Sequence, residues 1–382
     1  MKRFIPLFLI AVFSLSILPG CWDIREIQEI NYITALGIDF RNEEYIVYAQ
    51  MLDFSSVAKQ DSGKQTEQIP IWVGRGSGKT LSEAITNLYT TNQQHLSWAH
   101  VTALVLTEPV LTDDRMNQVF DLTNRSQEIR YTKWVYGTQN RIEELFTTTP
   151  FFQLSPLHSL LHEPMESFKQ FSFIRPIQFN EFIIRYREKG ATVVLPSLQI
   201  SSANWSENMR QHPLMQLSGA FFIQNQKNKG WMSREDISGI RWLASRATRA
   251  AVEIKKEGES LGSIILEAPH SVVEVICQNN DVSYRIKLNV NATVQNVRQQ
   301  ISLQEMNASA KKALTDEIIQ TFRKATKKNI DPYQLSLQLY RKNPKLWKKL
   351  QEEGKDVTSD SLQDVEVTIG LRFWGQRKDM RN

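Results

Sequence analysis

Cysteine is scarce in this sequence: the 382 residues include only Cys21 and Cys277. Two thiols so far apart cannot supply the disulfide framework of a small secreted domain, and a chain of this length can bury a sufficient core without one. The sequence also has little excess charge of either sign, because its 46 basic residues nearly balance its 41 acidic residues and leave a net charge of +5. This excess is too small to indicate nucleic-acid binding. The mean hydropathy of -0.37 excludes a protein with many membrane spans.

The overall composition is typical of a globular protein. Apolar residues make up 41% of the chain and charged residues 23%, a balance that excludes a mostly disordered protein. At about 150 residues per domain, the length predicts two or three domains.

The first 20 residues have the pattern of a bacterial lipoprotein signal peptide. Two basic residues precede a stretch, 4–19, that is apolar except for two serines. A membrane-spanning helix needs about 20 apolar residues, so this shorter stretch predicts a cleaved signal rather than a permanent anchor. It is followed by Gly20 and Cys21, and a small residue directly before a cysteine favours lipoprotein processing.

We therefore predict that the Cys21 sulfur receives a diacylglyceryl group and that Cys21 becomes the N-terminus of the mature chain. Two acyl chains contribute roughly 0.8 kcal/mol per buried CH2, which is sufficient for stable anchoring. An ordinary secretory signal with a chance cysteine is the alternative, since Pro19 departs from the usual lipobox. The mature protein is expected on the outer face of a bacterial membrane.

The first part of the mature chain, residues 21–200, is predicted to be an N-terminal domain of mixed α and β structure. Thr80 and Glu83 form the T-x-x-E pattern of a capping box, so a helix is expected to begin there. β-Branched and aromatic residues, together with the helical spacing of apolar residues, predict the other elements. These are strands at 44–52, 99–106, 131–136 and 193–198, and helices around 116–120 and 178–188.

The second part, residues 201–382, is predicted to be a C-terminal α+β domain. Apolar and polar residues alternate strictly through 284–294 and again through 365–373, as in strands with one buried and one solvated face. Such sheets are usually antiparallel. Helices with continuous apolar faces are expected at 314–325 and 344–353. The predicted fold class is therefore α+β and multi-domain, with mixed or antiparallel sheets and packed helices.

A glycine-rich segment at 74–80 (GRGSGKT) ends like a phosphate-binding loop, in Gly-Lys-Thr. That signature also needs a glycine five positions before Gly78, and Val73 occupies this position. A flexible loop that leads into the helix at Thr80 is therefore the better interpretation.

Histidine and cysteine form no evident site. His158 and His162 are four residues apart and could share a helix face as metal ligands, but Pro156 and Pro164 bracket them and a third ligand is not evident. Cys277 lies in a predicted strand, where a lone thiol is most often a small buried apolar side chain. The sequence thus predicts no catalytic, metal-binding or cofactor-binding residues.

Positive charge is concentrated at residues 311–355, which contain 12 Lys or Arg and 5 Asp or Glu, a net charge of +7. One interpretation is a basic surface that faces anionic lipid headgroups or an acidic partner. The other, which is the favoured interpretation, is a pair of amphipathic helices whose lysines are simply solvated.

Short motifs occur in a characteristic order along nearly the whole chain. The predicted mature N-terminus reads Gly-Cys-Trp-Asp at 20–23, with Arg-Glu-Ile at 25–27 and Ala-Leu-Gly-Ile-Asp at 35–39. Further motifs are GKTLSEAITNL at 78–88, NRSQEIR at 124–130, VVLPSL at 193–198, GAFFI at 219–223, GIRWL at 239–243 and NPKLWKKL at 343–350. Together they resemble the spore germination C-subunit lipoproteins, the Ger(x)C family.

The resemblance implies an α+β, multi-domain, non-catalytic lipoprotein on the outer surface of the spore inner membrane. It also implies assembly with an A subunit and a permease-like B subunit into a nutrient germinant receptor. One segment departs from the family, because 331–334 reads Asp-Pro-Tyr-Gln where an Asp-aromatic-Gly turn is usual. The resemblance implies no ligand-binding residue, so Cys21 is the single functional residue predicted.

We therefore predict a lipid-anchored, non-catalytic receptor subunit that requires no cofactor. A solute-binding lipoprotein of a nutrient transporter is the alternative that shares the signal and the size. Its usual parallel sheets are disfavoured by the alternating strands of the second half. A cell-envelope hydrolase is disfavoured because no catalytic set is recognisable, and nucleic acid is the least expected partner because the predicted export separates the protein from it.

Overall fold

The computed structural model describes residues 30–53, 57, 69–126, 128–244, 249–256, 259–278, 281–297 and 302–372. Strands and helices are mixed along the chain, and the predicted α+β fold class is confirmed. The strands are β1 (Ile30–Arg41), β2 (Glu44–Leu52), β3 (Ile71–Gly78), β4 (His95–Ser97), β5 (Ala103–Thr107), β6 (Trp134–Thr138), β7 (Ile177–Gln178), β8 (Thr192–Ser201), β9 (Ser206–Glu207), β10 (Arg210–Gln211), β11 (Leu214–Gln224), β12 (Lys227–Ser233), β13 (Arg249–Lys256), β14 (Glu259–Gln278), β15 (Asp281–Val297) and β16 (Leu362–Arg372). The helices are α1 (Leu81–Tyr89), α2 (Asp113–Arg125), α3 (Ile142–Thr147), α4 (Pro164–Gln170), α5 (Phe179–Arg187), α6 (Leu303–Thr326), α7 (Leu335–Lys342) and α8 (Pro344–Glu352).

Ten strands form one large sheet in the order β12-β11-β8-β6-β5-β1-β2-β3, with β4 beside β1 and β7 beside β6. The centre of this sheet is parallel, since β1, β5, β6 and β8 run in the same direction. Hairpins extend it with antiparallel strands on both sides. The parallel centre explains why every residue of β5 is buried, because such strands are covered on both faces.

Helices cover both faces of the large sheet. Alternate residues of a strand point to opposite faces. Accordingly, Leu104 and Leu106 pack in one core with α1, α2 and α5, whereas Ala103 and Val105 pack in another core with α3.

Four strands form a second, smaller sheet in the order β13-β14-β15-β16. Its first three strands are antiparallel, and β16 runs parallel to β15. The alternation predicted for this region is confirmed, because Ile286, Leu288 and Val290 are buried and the residues between them are more exposed. Helix α6 covers the apolar face with a buried stripe that includes Leu314 and Ile318.

Helix termini follow the capping signals of the sequence. The Thr80 hydroxyl accepts a hydrogen bond from the Glu83 N–H at 3.2 Å, as expected for the start of α1. Asn343 caps α8 in the same way, through the Leu346 N–H at 3.1 Å. Gly354 follows α8 with a φ of +68°, a conformation that glycine adopts readily. Both predicted helix starts are confirmed.

The large sheet continues beyond residue 200, because β11 pairs with β8 along ten residue pairs from Leu214↔Ser201 to Gln224↔Thr192. Strands β11 and β12 therefore pack with the N-terminal part of the chain. The predicted division into 21–200 and 201–382 stays a prediction about independent folding units.

Candidate functional site

The predicted lipidation residue, Cys21, and the predicted signal peptide at 1–20 lie outside the described residues. The first residue that the structure describes is Ile30, at the start of the central strand β1. None of the helices in the described ranges is long and apolar enough to cross a membrane.

The glycine-rich segment is a strand and not a loop, so the expectation of a flexible loop was wrong. Residues 71–78 form β3, which pairs with β2. Gly74, Gly76 and Gly78 alternate along β3 and all face α1, because a Cβ atom at each would meet Leu88, Ala84 or Glu83. The glycines therefore allow a helix to pack closely on a strand, and they do not form a phosphate cradle.

The two histidines occupy different environments and do not form a joint site. His162 is buried, with Nε2 2.9 Å from the side-chain oxygen of Gln50 and Nδ1 2.6 Å from the Thr102 hydroxyl. Burial lowers the pKa of His162 to about 3, so the ring is neutral. His158 lies instead near the Glu163 carboxylate, at 3.4 Å. No cluster of three or more potential metal ligands occurs in the part of the chain that the structure describes.

Cys277 lies in β14, as expected, but it is exposed, so the prediction that it is buried was wrong. It shares a strand face with Val275, which is buried. Cys277 is one residue from the end of β14, where the last pair of the hairpin is Gln278 with Asp281. A strand tip extends beyond the core, and alternation along the sequence does not reveal where the core ends.

Lys133 is a buried cation that the sequence analysis did not identify. Its side chain is 1% exposed, its Nζ donates a hydrogen bond to the Arg130 carbonyl at 3.1 Å, and the same atom lies 3.9 Å from the centre of the Phe179 ring. Burial lowers the pKa of Lys133 to about 7. The sequence contains one signal for this burial. Lys133 is two residues before the buried Val135, and this spacing places two side chains on the same face of an extended chain.

The basic segment at 311–355 is divided between structural contacts and exposed charge. Lys324 pairs with Asp236 at 2.7 Å, and Arg341 pairs with Glu188 at 2.6 Å. Both pairs connect the C-terminal helices to earlier parts of the chain. By contrast, three lysines of α8 are exposed, namely Lys345, Lys348 and Lys349. Neither interpretation of the segment therefore applies to all of it.

The turn that departs from the family pattern forms without glycine. Gln334 takes the left-handed conformation, with φ 61° and ψ 30°. Its side chain hydrogen-bonds to both backbone groups of Thr192, and the N–H of Thr192 donates at 2.9 Å. The Asp331 carboxylate accepts from the backbone N–H groups of Tyr333 and Ser336 at 3.1 and 2.9 Å. Burial raises the pKa of Asp331 to about 6.

A cleft of about 260 Å³ lies beside this turn, between α5 and the C-terminal part. Arg175 forms two hydrogen bonds with the Glu181 carboxylate at 2.8 and 3.0 Å, and Arg185 adds a third at 3.0 Å. Both guanidinium groups therefore already have a partner in the wall of the cleft, and one carboxylate is shared between two cations.

Comparison with protein families gives two matches that follow one another along the chain. Residues 23–200 match the family described as "Spore germination protein N-terminal domain". Residues 218–373 match the family described as "Spore germination B3/ GerAC like, C-terminal".

Similar proteins cover the chain almost completely. Spore germination protein KC of Bacillus subtilis (strain 168) is 22% identical over 393 residues, which cover 98% of this chain and 96% of that protein. Spore germination protein B3 of the same strain is 19% identical over 381 residues, with coverages of 96% and 97%. The crystal structure of the GerBC protein matches with a TM-score of 0.51 at 15% identity, covering 92% of this chain and 100% of that chain. The match with the GerBC structure shows a similarity of fold.

Proposed function

Because the chain belongs to the Ger(x)C family of spore germination proteins, we propose that it is a lipid-anchored, non-catalytic subunit of a nutrient germinant receptor. The observation that carries this proposal is the end-to-end match with spore germination protein KC, over 98% of this chain and 96% of that protein. The subunit would assemble with a membrane-embedded A subunit and a permease-like B subunit and support germinant sensing.

The sequence supports anchoring by lipid, because Cys21 directly follows the predicted signal segment. Ile30 is 30 - 21 = 9 positions after Cys21, and nine residues reach at most about 30 Å. An acylated Cys21 would therefore keep the start of β1 within that distance of the membrane, on the outer surface of the spore inner membrane.

The folded body is suited to docking rather than to chemistry. His162 and Lys133 are enclosed by protein, and neither is among the residues that line the cleft beside Gln334. The exposed lysines of α8, by contrast, offer a charged surface to an acidic partner or to anionic headgroups.

Spores that carry Cys21→Ala test the anchor and its role together. We expect the variant protein to be lost from salt-washed membranes and the spores to respond more weakly to the nutrient that this receptor detects. Cys277→Ala is the matched control, since it removes the other cysteine and should change neither result. A Cys21→Ala protein that stays in the membrane fraction as firmly as the wild type would contradict lipid anchoring.

A further inference from the structure

Three two-residue hairpin turns in the described chain share one backbone conformation. They join β1 to β2, β9 to β10 and β11 to β12, and in each both turn residues have positive φ: 53° and 59° at Asn42-Glu43, 49° and 68° at Asn208-Met209, and 50° and 65° at Asn225-Gln226. Asparagine is favoured at the first position of such turns and glycine at the second. Two of the turns have a polar residue at the second position, whereas the third has methionine. The Met209 side chain is 98% exposed.

A second bulky apolar residue close to this hairpin also has an unfavourable left-handed backbone conformation. Phe152 has a φ of 56° and is 90% exposed. A left-handed conformation costs a residue with a Cβ atom roughly 1 kcal/mol. Stability alone would favour glycine or asparagine at both positions. Backbone outliers of this kind cluster at functional sites.

Phe151 joins these two sites into one surface. Its ring lies 5.0 Å from the ring of Trp205, in an edge-to-face arrangement, and 6.1 Å from the ring of Phe152. Trp205, which is 59% exposed, is at the base of the hairpin that has Met209 at its tip. We call residues 151–154 and 205–209 the apolar tip pair.

Charge is nearly absent from the apolar tip pair and from the chain around it. Residues 147–157 contain no charged residue, and neither do residues 191–206. Glu207 is the one charged residue of the apolar tip pair; it is opposite Arg210 in the hairpin, and its carboxylate lies 3.8 Å from Nδ1 of His212. Charged groups are expensive to take out of water, so the uncharged stretches 147–157 and 191–206 can leave water at lower cost than charged segments.

We propose that the apolar tip pair inserts into the headgroup region of the lipid bilayer and gives the folded body a second membrane contact besides the acyl anchor. The proposal rests on the proposed function for its location at a membrane. The exposed side chains at these tips can enter a lipid surface, because a fluid surface does not need a preformed pocket to receive them. Tryptophan is enriched at membrane interfaces, where its amphipathic ring is favoured.

The test uses the mature chain, residues 22–382, with Cys277→Ser and an N-terminal hexahistidine in place of the acylated cysteine. Vesicles of phosphatidylethanolamine and phosphatidylglycerol that contain a nickel-chelating lipid hold this chain at the membrane independently of Cys21. A single cysteine is introduced as Phe152→Cys, Met209→Cys or Ile184→Cys and labelled with a fluorophore that is sensitive to polarity. Ile184 is the matched control, because it is an apolar residue that is 64% exposed on α5. Equal thermal unfolding of the three labelled proteins establishes that each is folded.

We expect the labels at 152 and 209 to shift their emission to shorter wavelengths on the vesicles and to become several-fold less accessible to aqueous iodide. The label at 184 should not change. Labels at 152 and 209 that remain as accessible as the label at 184 would overturn the proposal. Protection that appears only when the A and B subunits are also in the vesicles would overturn it too, and would identify a protein as the occupant. Either failure leaves the receptor assignment intact, because that assignment is decided by the partners with which the chain purifies.

Discussion

Gln334 pairs with Thr192 through its side-chain amide, as a neighbouring strand would pair through its backbone. Its Oε1 accepts a hydrogen bond from the Thr192 N–H at 2.9 Å, and its Nε2 donates to the Thr192 carbonyl. Thr192 is completely buried at the start of β8, so its polar backbone groups need such partners. The contact connects the turn after α6 to the large sheet.

Two substitutions of Gln334 separate the free energy that this contact contributes from the cost of the left-handed backbone at Gln334. Gln334→Ala removes both hydrogen bonds and keeps a Cβ atom at positive φ, so we expect the free energy of unfolding to fall by about 2 kcal/mol. Gln334→Gly removes the same bonds but relieves roughly 1 kcal/mol of backbone strain, so its loss should be smaller. Denaturant unfolding measures both values. A glycine variant that is about 1 kcal/mol more stable than the wild type would show that the amide contact contributes nothing, because only the relief of strain would remain.

Lys133→Met tests the buried cation. The folded-state pKa is about 7 and the ordinary value is 10.5. Between these pH values the unfolded chain binds a proton that the folded chain does not, so Lys133 makes stability rise with pH in that window. Below pH 7 both states are charged and the cost of burial is fully present, although the contact with Phe179 offsets part of it.

We therefore expect Lys133→Met to increase the free energy of unfolding at pH 6, by on the order of a few kcal/mol, and to flatten the rise above pH 7. Lys345→Met, at an exposed position on α8, is the matched control and should leave the pH profile unchanged. Parallel pH profiles for wild type and Lys133→Met would refute the assignment.

His162 should make the protein sensitive to acid. Its pKa is about 3 in the folded chain and 6.5 ordinarily, so on acidification the unfolded chain takes up a proton first. Stability from this residue is fully present above pH 6.5 and is lost as the pH falls towards 3, at up to about 1.4 kcal/mol per pH unit. Chemical denaturation between pH 4 and pH 7 should show a shallower slope for His162→Gln. Equal slopes for the wild type and His162→Gln would contradict the account.

Gly76→Ala tests the close packing of β3 against α1. The new Cβ atom would meet the backbone carbonyl of Ala84, which cannot move without the helix. We expect a loss of about 1–3 kcal/mol, as for other overpacked cores. At Gly74 the nearest atom is instead the flexible end of Leu88, at 3.0 Å, so Gly74→Ala should cost less. Thermal unfolding that ranks the two variants in the opposite order would refute this explanation of the glycines.

The elements that the sequence predicts well are those with local signals. The Thr80 and Asn343 caps fix where α1 and α8 begin, because the capping atoms lie within three residues of the groups they bind. The alternation around Ile286 identifies β15 for a similar reason, since period-two burial is a property of the strand itself.

Features that depend on distant contacts escaped prediction. Glycines such as those of β3 usually indicate a loop, and only the packing of α1 explains their place in a strand. The burial of Lys133 depends on Phe179, which is 179 - 133 = 46 positions later. The exposure of Cys277 depends on where the core under β14 ends. The apolar tip pair was missed because it joins two loops that no local pattern relates.

The central claim is membership of a germinant receptor, and purification of the tagged chain from spore membranes in mild detergent tests it most directly. Mass spectrometry of the proteins that accompany it should identify a permease-like subunit and a second germination subunit. Recovery of a transporter permease with its ATPase instead would contradict the receptor assignment and indicate a solute-binding lipoprotein.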